Sequence, residues 1–219
     1  MIPKEFLFHP ITCVILSFVW SFLSIKIAIK NEENEKPRSF PWLIIPVAGI
    51  MGLISGVGLP APLNFTLAIA LAGFIPAAWS DWHTRYLWDE ILIPTTIFCG
   101  ISMILGGKGL ESIWGGAILG LLAWGLWALF GLMGKESGLG DVKLIISIGI
   151  ILGPLGGISA YFLSSFIGIA IWLYFRQRSS DPEFPFGPAL VSAMTIAAFL
   201  TPRLDETYGM LLPGLFAVK

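Results

Sequence analysis

The sequence predicts an all-α protein, a bundle of about eight transmembrane helices with no strands. Three observations carry that expectation. Of the 219 residues, 56% are hydrophobic and only 12% charged, about half the charge of an average soluble domain. The mean hydropathy is +0.83. The apolar residues fall into a succession of runs separated by short polar or Gly/Pro-rich joints. The length suits one integral-membrane domain, 1–219. The net charge of −1 says nothing about nucleic acid, no basic tract suggests such a partner, and the apolar composition makes the lipid bilayer the expected environment.

The first run, roughly His9 to Ile29, is long and has no small-residue cleavage site after it, so it reads as a retained helix. It ends in Lys26 and Lys30, followed by the solvated loop Asn31 to Arg38. The second, Trp42 to Val57, carries Gly52 and Gly56 at the spacing that lets helix backbones pack closely in lipid. Leu59-Pro60-Ala61-Pro62 is a turn. The third run, Phe65 to Ser80, is followed at once by Asp81 and then by Trp82-His83-Thr84-Arg85-Tyr86-Leu87-Trp88-Asp89-Glu90. The tryptophans and tyrosine of that stretch favour the water boundary. Asp89 and Glu90 suit the N-terminus of the fourth run, Ile91 to Leu105.

The fifth run, Leu110 to Met133, again holds small residues at packing distance, Gly116 and Gly120. The sixth starts at Asp141 and breaks near Gly153, at Pro154 and Gly156-Gly157. It falls short of the roughly 20 residues a span needs, so it either recruits the preceding loop or packs within protein. The seventh is Ile158 to Phe175, and the eighth begins near Pro185-Phe186-Gly187-Pro188 and reaches Leu200. The tail from Pro202 is too short to span and suits the interface. Cys13 and Cys99 sit in separate apolar runs and read as small packed hydrophobes, with no metal-ligand set.

Eight spans put alternate joints on opposite sides. Lys26, Lys30, Lys36, Arg38, Arg85, Lys135, Lys143, Arg176 and Arg178 share one side; Lys4, Lys108, Arg203 and Lys219 share the other. The excess of cations marks the first side as cytoplasmic and places both termini outside. Asp81 and Asp141 both fall on the cytoplasmic side.

Those two aspartates are the candidate catalytic residues. A carboxylate at the edge of hydrocarbon is costly and marks a functional site by default. Asp141 sits within Gly138-Leu139-Gly140-Asp141-Val142-Lys143-Leu144, where Gly138 and Gly140 allow the backbone to approach a neighbour. A plain alternative makes Asp141 a helix N-cap and Lys143 a snorkelling cation. The second aspartate, about sixty residues earlier, tips the reading toward a pair. Two adjacent carboxylates cannot easily both ionise. One then activates a water, and the other, protonated, hydrogen-bonds a scissile carbonyl. No cofactor, metal, serine or cysteine is required. There is no HExxH motif, and the two histidines, His9 and His83, lie far apart; His9 suits the outer interface and His83 a solvated loop.

The heptapeptide from Gly138 to Leu144 resembles the GxGD motif of the type IV prepilin peptidases, membrane aspartyl proteases that include the archaeal preflagellin peptidases. Asp81, ending an apolar run and followed by a short polar stretch and Leu92-Ile93-Pro94, is similar to the family's first aspartate. The family commonly has a proline just before the position of Asp89, where this chain has Leu87-Trp88. Pro185, Phe186, Gly187 and Pro188 resemble the late proline-glycine segment of bacterial members. Pro188-Ala189-Leu190 resembles more loosely the Pro-Ala-Leu motif of presenilin-type proteases. The likeness spans roughly 74–200, leaving 1–73 as additional helices.

The resemblance implies a GxGD aspartyl protease fold and the removal of a basic leader from type IV prepilin-like, pseudopilin-like or preflagellin-like precursors. Cleavage would follow a glycine at the cytoplasmic face of the inner membrane. By the same likeness, Asp81 and Asp141 are catalytic, while Gly138, Gly140, Lys143, Pro185, Phe186, Gly187 and Pro188 position the motif or substrate. Many members also carry two CxxC pairs and methylate the new amino terminus; with two isolated cysteines and a first loop of about a dozen residues, peptidase activity without methylation is expected. Two other classes fit the intramembrane carboxylates: a small proton-coupled transporter, and a silent assembly scaffold.

Overall fold

The computed structural model describes residues 9–32, 43–134, 138–176 and 184–211, with the backbone alone described for 28–32 and 203–211. Among the described residues seven helices follow one another: α1 Pro10–Glu32, α2 Ile44–Gly58, α3 Leu63–Thr84, α4 Asp89–Leu105, α5 Gly109–Leu132, α6 Leu139–Arg176 and α7 Gly187–Leu211. No strand occurs among the described residues. The loop Glu33 to Arg38, Lys4, Lys135, Arg178 and the tail from 212 lie outside the described residues.

Every apolar run becomes helix, but eight separate spans are not established. Among the described residues four helices are long and apolar enough to cross hydrocarbon alone: α1 over Pro10–Ile27, α3, α5 and α6. Runs six and seven share α6, which is interrupted at Gly153 with φ 69° and ψ −175°. The break sits one residue before Pro154, whose ring drives the preceding residue out of helical conformation. Only glycine takes that positive φ without strain.

The interruption is a reversal. A Cβ built on Gly157 would lie 3.2 Å from the Gly149 Cα, whereas eight residues of continuous helix rise about 12 Å. The chain therefore folds back, and the arms 139–152 and 154–176 lie side by side. The first arm is short because it packs within protein: Leu144, Ile145, Ile148 and Ile151 are buried.

The core forms around α3, buried along nearly its whole length from Asn64 to Asp81. Ser17 and Ser21 of α1 satisfy themselves on its backbone, as an apolar medium favours: Ser17 Oγ donates to the Ala68 carbonyl at 3.2 Å and Ser21 Oγ to the Ala72 carbonyl at 3.1 Å. Trp20 Nε1 donates to Thr95 Oγ1 of α4 at 3.0 Å. The small-residue spacings do what packing predicts. Cβ atoms on Gly52 and Gly56 would strike Ser17 and Pro10 of α1. On Gly116 and Gly120 they would press on Ile150 and Ile146 of α6. Cys13 and Cys99 are free and buried, as their apolar settings imply.

The closest approach is Gly115 of α5 against Gly149 and Gly153 of α6, backbone on backbone. A methyl at Gly149 would collide with the Gly115 carbonyl and press on Leu119 Cβ at 3.0 Å, and main chain yields less readily than a flexible side chain. Gly149→Ala is expected to destabilise by about 1–3 kcal/mol. Gly125 faces open space, so Gly125→Ala is expected to stabilise by up to about 1 kcal/mol through helix propensity. Melting temperatures in detergent should move in opposite directions for the two variants.

Candidate active site

The end of the bundle where α3 finishes and α4, α6 and α7 begin gathers the polar chemistry. Asp81 lies in the last turn of α3, one turn further into the helix than the sequence suggests, because α3 continues through Thr84. It is buried, 6% exposed. Its Oδ2 accepts the Gly187 backbone N–H at 2.8 Å. Gly187 is the first residue of α7, so Asp81 sits at a helix N-terminus, where free N–H groups and the helix dipole favour an anion.

Asp141 is the third residue of α6 and half-buried. It lies inside the helix, so it is not the N-cap. It is close enough to Asp81 for the two charges to repel, and within electrostatic reach of the Tyr161 phenol. Tyr161 comes from the second arm of α6, brought back by the reversal at Gly153. The face Asp141, Ile145, Ile148 points into the protein, since residues three and four apart share one side of a helix and the two isoleucines are buried.

The glycines of the motif differ. Gly140 packs on the α3–α4 link: a Cβ there would meet Leu87 Cβ at 3.0 Å. Gly138 is exposed with no atom within 4 Å of where its Cβ would stand. The expectation of a close approach at both glycines is thus corrected to Gly140 alone. Lys143 does not snorkel freely. Its Nζ donates to both Asp89 oxygens, at 2.7 and 2.6 Å. Asp89 opens α4, as its position before an apolar run predicts.

The Pro185–Pro188 segment both starts α7 and touches the site. Pro188 occupies an early helical position that needs no N–H donor. Phe186 lies against Gly168 of α6, where a Cβ would meet its ring edge at 2.7 Å. A Cβ on Gly187 would stand 2.9 Å from Asp81 Oδ2 and 3.3 Å from Asp81 Cβ. The site can close only because that position lacks a side chain.

Several neighbours were not legible in advance. Arg85, after α3, takes a left-handed φ of 61°. Its guanidinium lies over the Phe175 ring at 4.6 Å and donates to the Trp82 carbonyl at 3.0 Å. Trp88 Nε1 donates to Ser80 Oγ. His83 is not a loop residue: it belongs to the last turn of α3, its Nδ1 lies 2.9 Å from the Trp79 carbonyl, and its ring lies against Trp79. Among the described residues, no three His, Cys, Asp or Glu side chains gather as a metal site.

A profile described as the type IV leader peptidase family matches residues 68–173, which include Asp81, Asp89, Asp141 and Lys143. A prepilin leader peptidase/N-methyltransferase of Aeromonas hydrophila is 33% identical over 220 aligned positions, covering 91% of this chain and 71% of that protein. Proteins of the same name from Xanthomonas campestris pv. campestris and Neisseria gonorrhoeae are 37% and 34% identical. Those alignments cover 64% and 56% of this chain, and 52% and 44% of the respective relatives. No solved structure matches the chain.

Proposed function

Because the chain belongs to the type IV leader peptidase family, and so is a membrane-embedded peptidase, we propose that Asp81 and Asp141 cut the leader of a type IV prepilin-like precursor with an activated water. The observation that carries the reading is the placement of Asp81. Its buried carboxylate is held by the Gly187 N–H while Asp141 approaches closely enough to repel its charge.

In the proposed reaction one carboxylate is ionised and takes a proton from a water held between the pair. The hydroxide attacks the scissile carbonyl carbon. The other carboxyl, protonated, donates to the carbonyl oxygen and stabilises the tetrahedral intermediate. The C–N bond breaks as the departing nitrogen receives a proton, leaving a carboxylic acid on the leader and a free amine on the mature protein. Donation of the Gly187 N–H to Asp81 Oδ2 leaves Oδ1 to face the water. The sharing of one negative charge between two close carboxyl groups is what lets one act as acid and the other as base at one pH.

We place the site at the cytoplasmic face of the inner membrane, from the excess of Lys and Arg on that side. A precursor with a basic leader and an apolar helix would present its junction there. Cleavage is taken to follow a glycine. The test is purified protein in lipid with a type IV prepilin, the products read by intact mass. Release of the leader with a new amino terminus after the glycine supports the reading. No cleavage of any type IV prepilin, pseudopilin or preflagellin precursor, or a cut elsewhere in the chain, overturns it.

A further inference from the structure

We propose that Asp89 and Lys143 form a positioning clamp that sets the gap between Asp81 and Asp141, a proposal that rests on the two-aspartate reading above. Lys143 Nζ bridges both oxygens of Asp89, across 54 residues of sequence. The side chains are 42% and 45% exposed. A half-exposed ion pair contributes little to stability, so its consequence lies in where it is.

It joins α6, which carries Asp141, to the start of α4, which follows the end of α3 that carries Asp81. Asp81 lies in the last turn of α3, and Arg85 to Trp88 link it to α4. Leu87 of that link seats on Gly140, and Asp89, the first residue of α4, grips Lys143. The residue before Asp141 and the second residue after it are therefore each held by the segment that directly follows Asp81. Movement of α6 relative to the α3–α4 link and the start of α4 has to break one of these contacts.

The seam continues outward along α4 and α6, which both start at the site end. Thr96 Oγ1 and Ser147 Oγ lie 2.6 Å apart, and Ser147 Oγ donates to the Lys143 carbonyl at 2.8 Å. The pair also disposes of a misplaced charge. Lys143 is the fifth residue of α6, an ammonium just past the first turn and still near the positive pole of its own helix. At 100° per residue Lys143 points about 200° round from Asp141, and Asp89 holds it there. Released, it is free to swing toward the two carboxylates, where a cation would favour ionising both.

The test is steady-state cleavage of a prepilin by the full chain, comparing Asp89→Asn, Lys143→Met, the double variant and Lys143→Arg. Misplacing a catalytic group by about 1 Å costs about a hundredfold. Each single variant is expected to lose about that much in kcat with KM nearly unchanged. The double variant is expected to be no worse than the weaker single, as for residues acting as one unit. Lys143→Arg, which keeps the charge and forks onto a carboxylate, is expected to keep kcat within about tenfold. A rise in KM at unchanged kcat would mean the residues bind substrate instead, and wild-type turnover in both singles would remove any role; either overturns the clamp. So do single losses that multiply in the double variant. Asp81→Asn is assayed alongside: wild-type turnover in that variant sinks the two-aspartate reading and the clamp with it, whereas an inactive Asp81→Asn with normal clamp variants sinks the clamp alone.

Discussion

Asp141→Asn is expected to lower kcat for leader cleavage at least about a thousandfold, the scale of losing a general acid or base. The amide has nearly the shape of the carboxylic acid, so the packing around position 141 is kept. It cannot exchange a proton with the attacking water or the scissile carbonyl. The melting temperature is expected to hold or rise, because the substitution also removes the repulsion between Asp141 and Asp81. The pair acts on one water, so Asp81→Asn/Asp141→Asn is expected to be no slower than the slower single variant. Rates measured beside melting curves check both parts. A fall in activity that tracks unfolding would assign Asp141 to structure.

The second large effect is expected at Gly187. Its N–H donates to Asp81 Oδ2, and a Cβ there would stand 2.9 Å from the same oxygen. A hydrogen bond to an ionised group is worth roughly 1.5–3 kcal/mol. Gly187→Val keeps the N–H but puts a branched side chain where the carboxylate is. Either Asp81 turns away or α7 shifts outward. Turnover is expected to fall about a hundredfold, measured as kcat on one precursor. Gly187→Ala is expected to fall between Val and wild type. Equal activity in all three proteins would show that the contact does not hold Asp81 in place.

The parts of this architecture that lie in local chemistry can be read from the residues. Apolar runs give the helices because hydrocarbon tolerates no unpaired backbone. Asp81 and Asp141 stand out because each interrupts an apolar setting where charge is costly. Gly52, Gly56, Gly116 and Gly120 announce close packing by spacing alone. The break near Pro154 is visible too, but its consequence is not: whether Gly153 bends the chain or reverses it depends on what Gly115 offers the returning arm. The contact from Gly187 to Asp81 spans 106 residues and the one from Lys143 to Asp89 spans 54. Neither has a periodicity to betray it. Gly138 illustrates the opposite error, since a glycine in a motif invites a packing role and this one faces open space. Helix ends are also hard to read from the residues. The apolar run stops before Asp81, but α3 runs on through Thr84 because Thr84 Oγ1 donates to the Ser80 carbonyl and the Arg85 N–H closes the last turn on the Asp81 carbonyl.

The most direct test of the account asks which aspartate partners Asp141. Asp81 and Asp89 both lie at this end of the bundle, but they do different things: one is buried against Gly187, and the other is spent on Lys143. Single-turnover cleavage of one prepilin by saturating Asp81→Asn and Asp89→Asn separates them. The account predicts that Asp81→Asn loses at least about a thousandfold, and that Asp89→Asn loses about a hundredfold. Active Asp81→Asn beside inactive Asp89→Asn would contradict it, and would move the catalytic pair to Asp89 and Asp141.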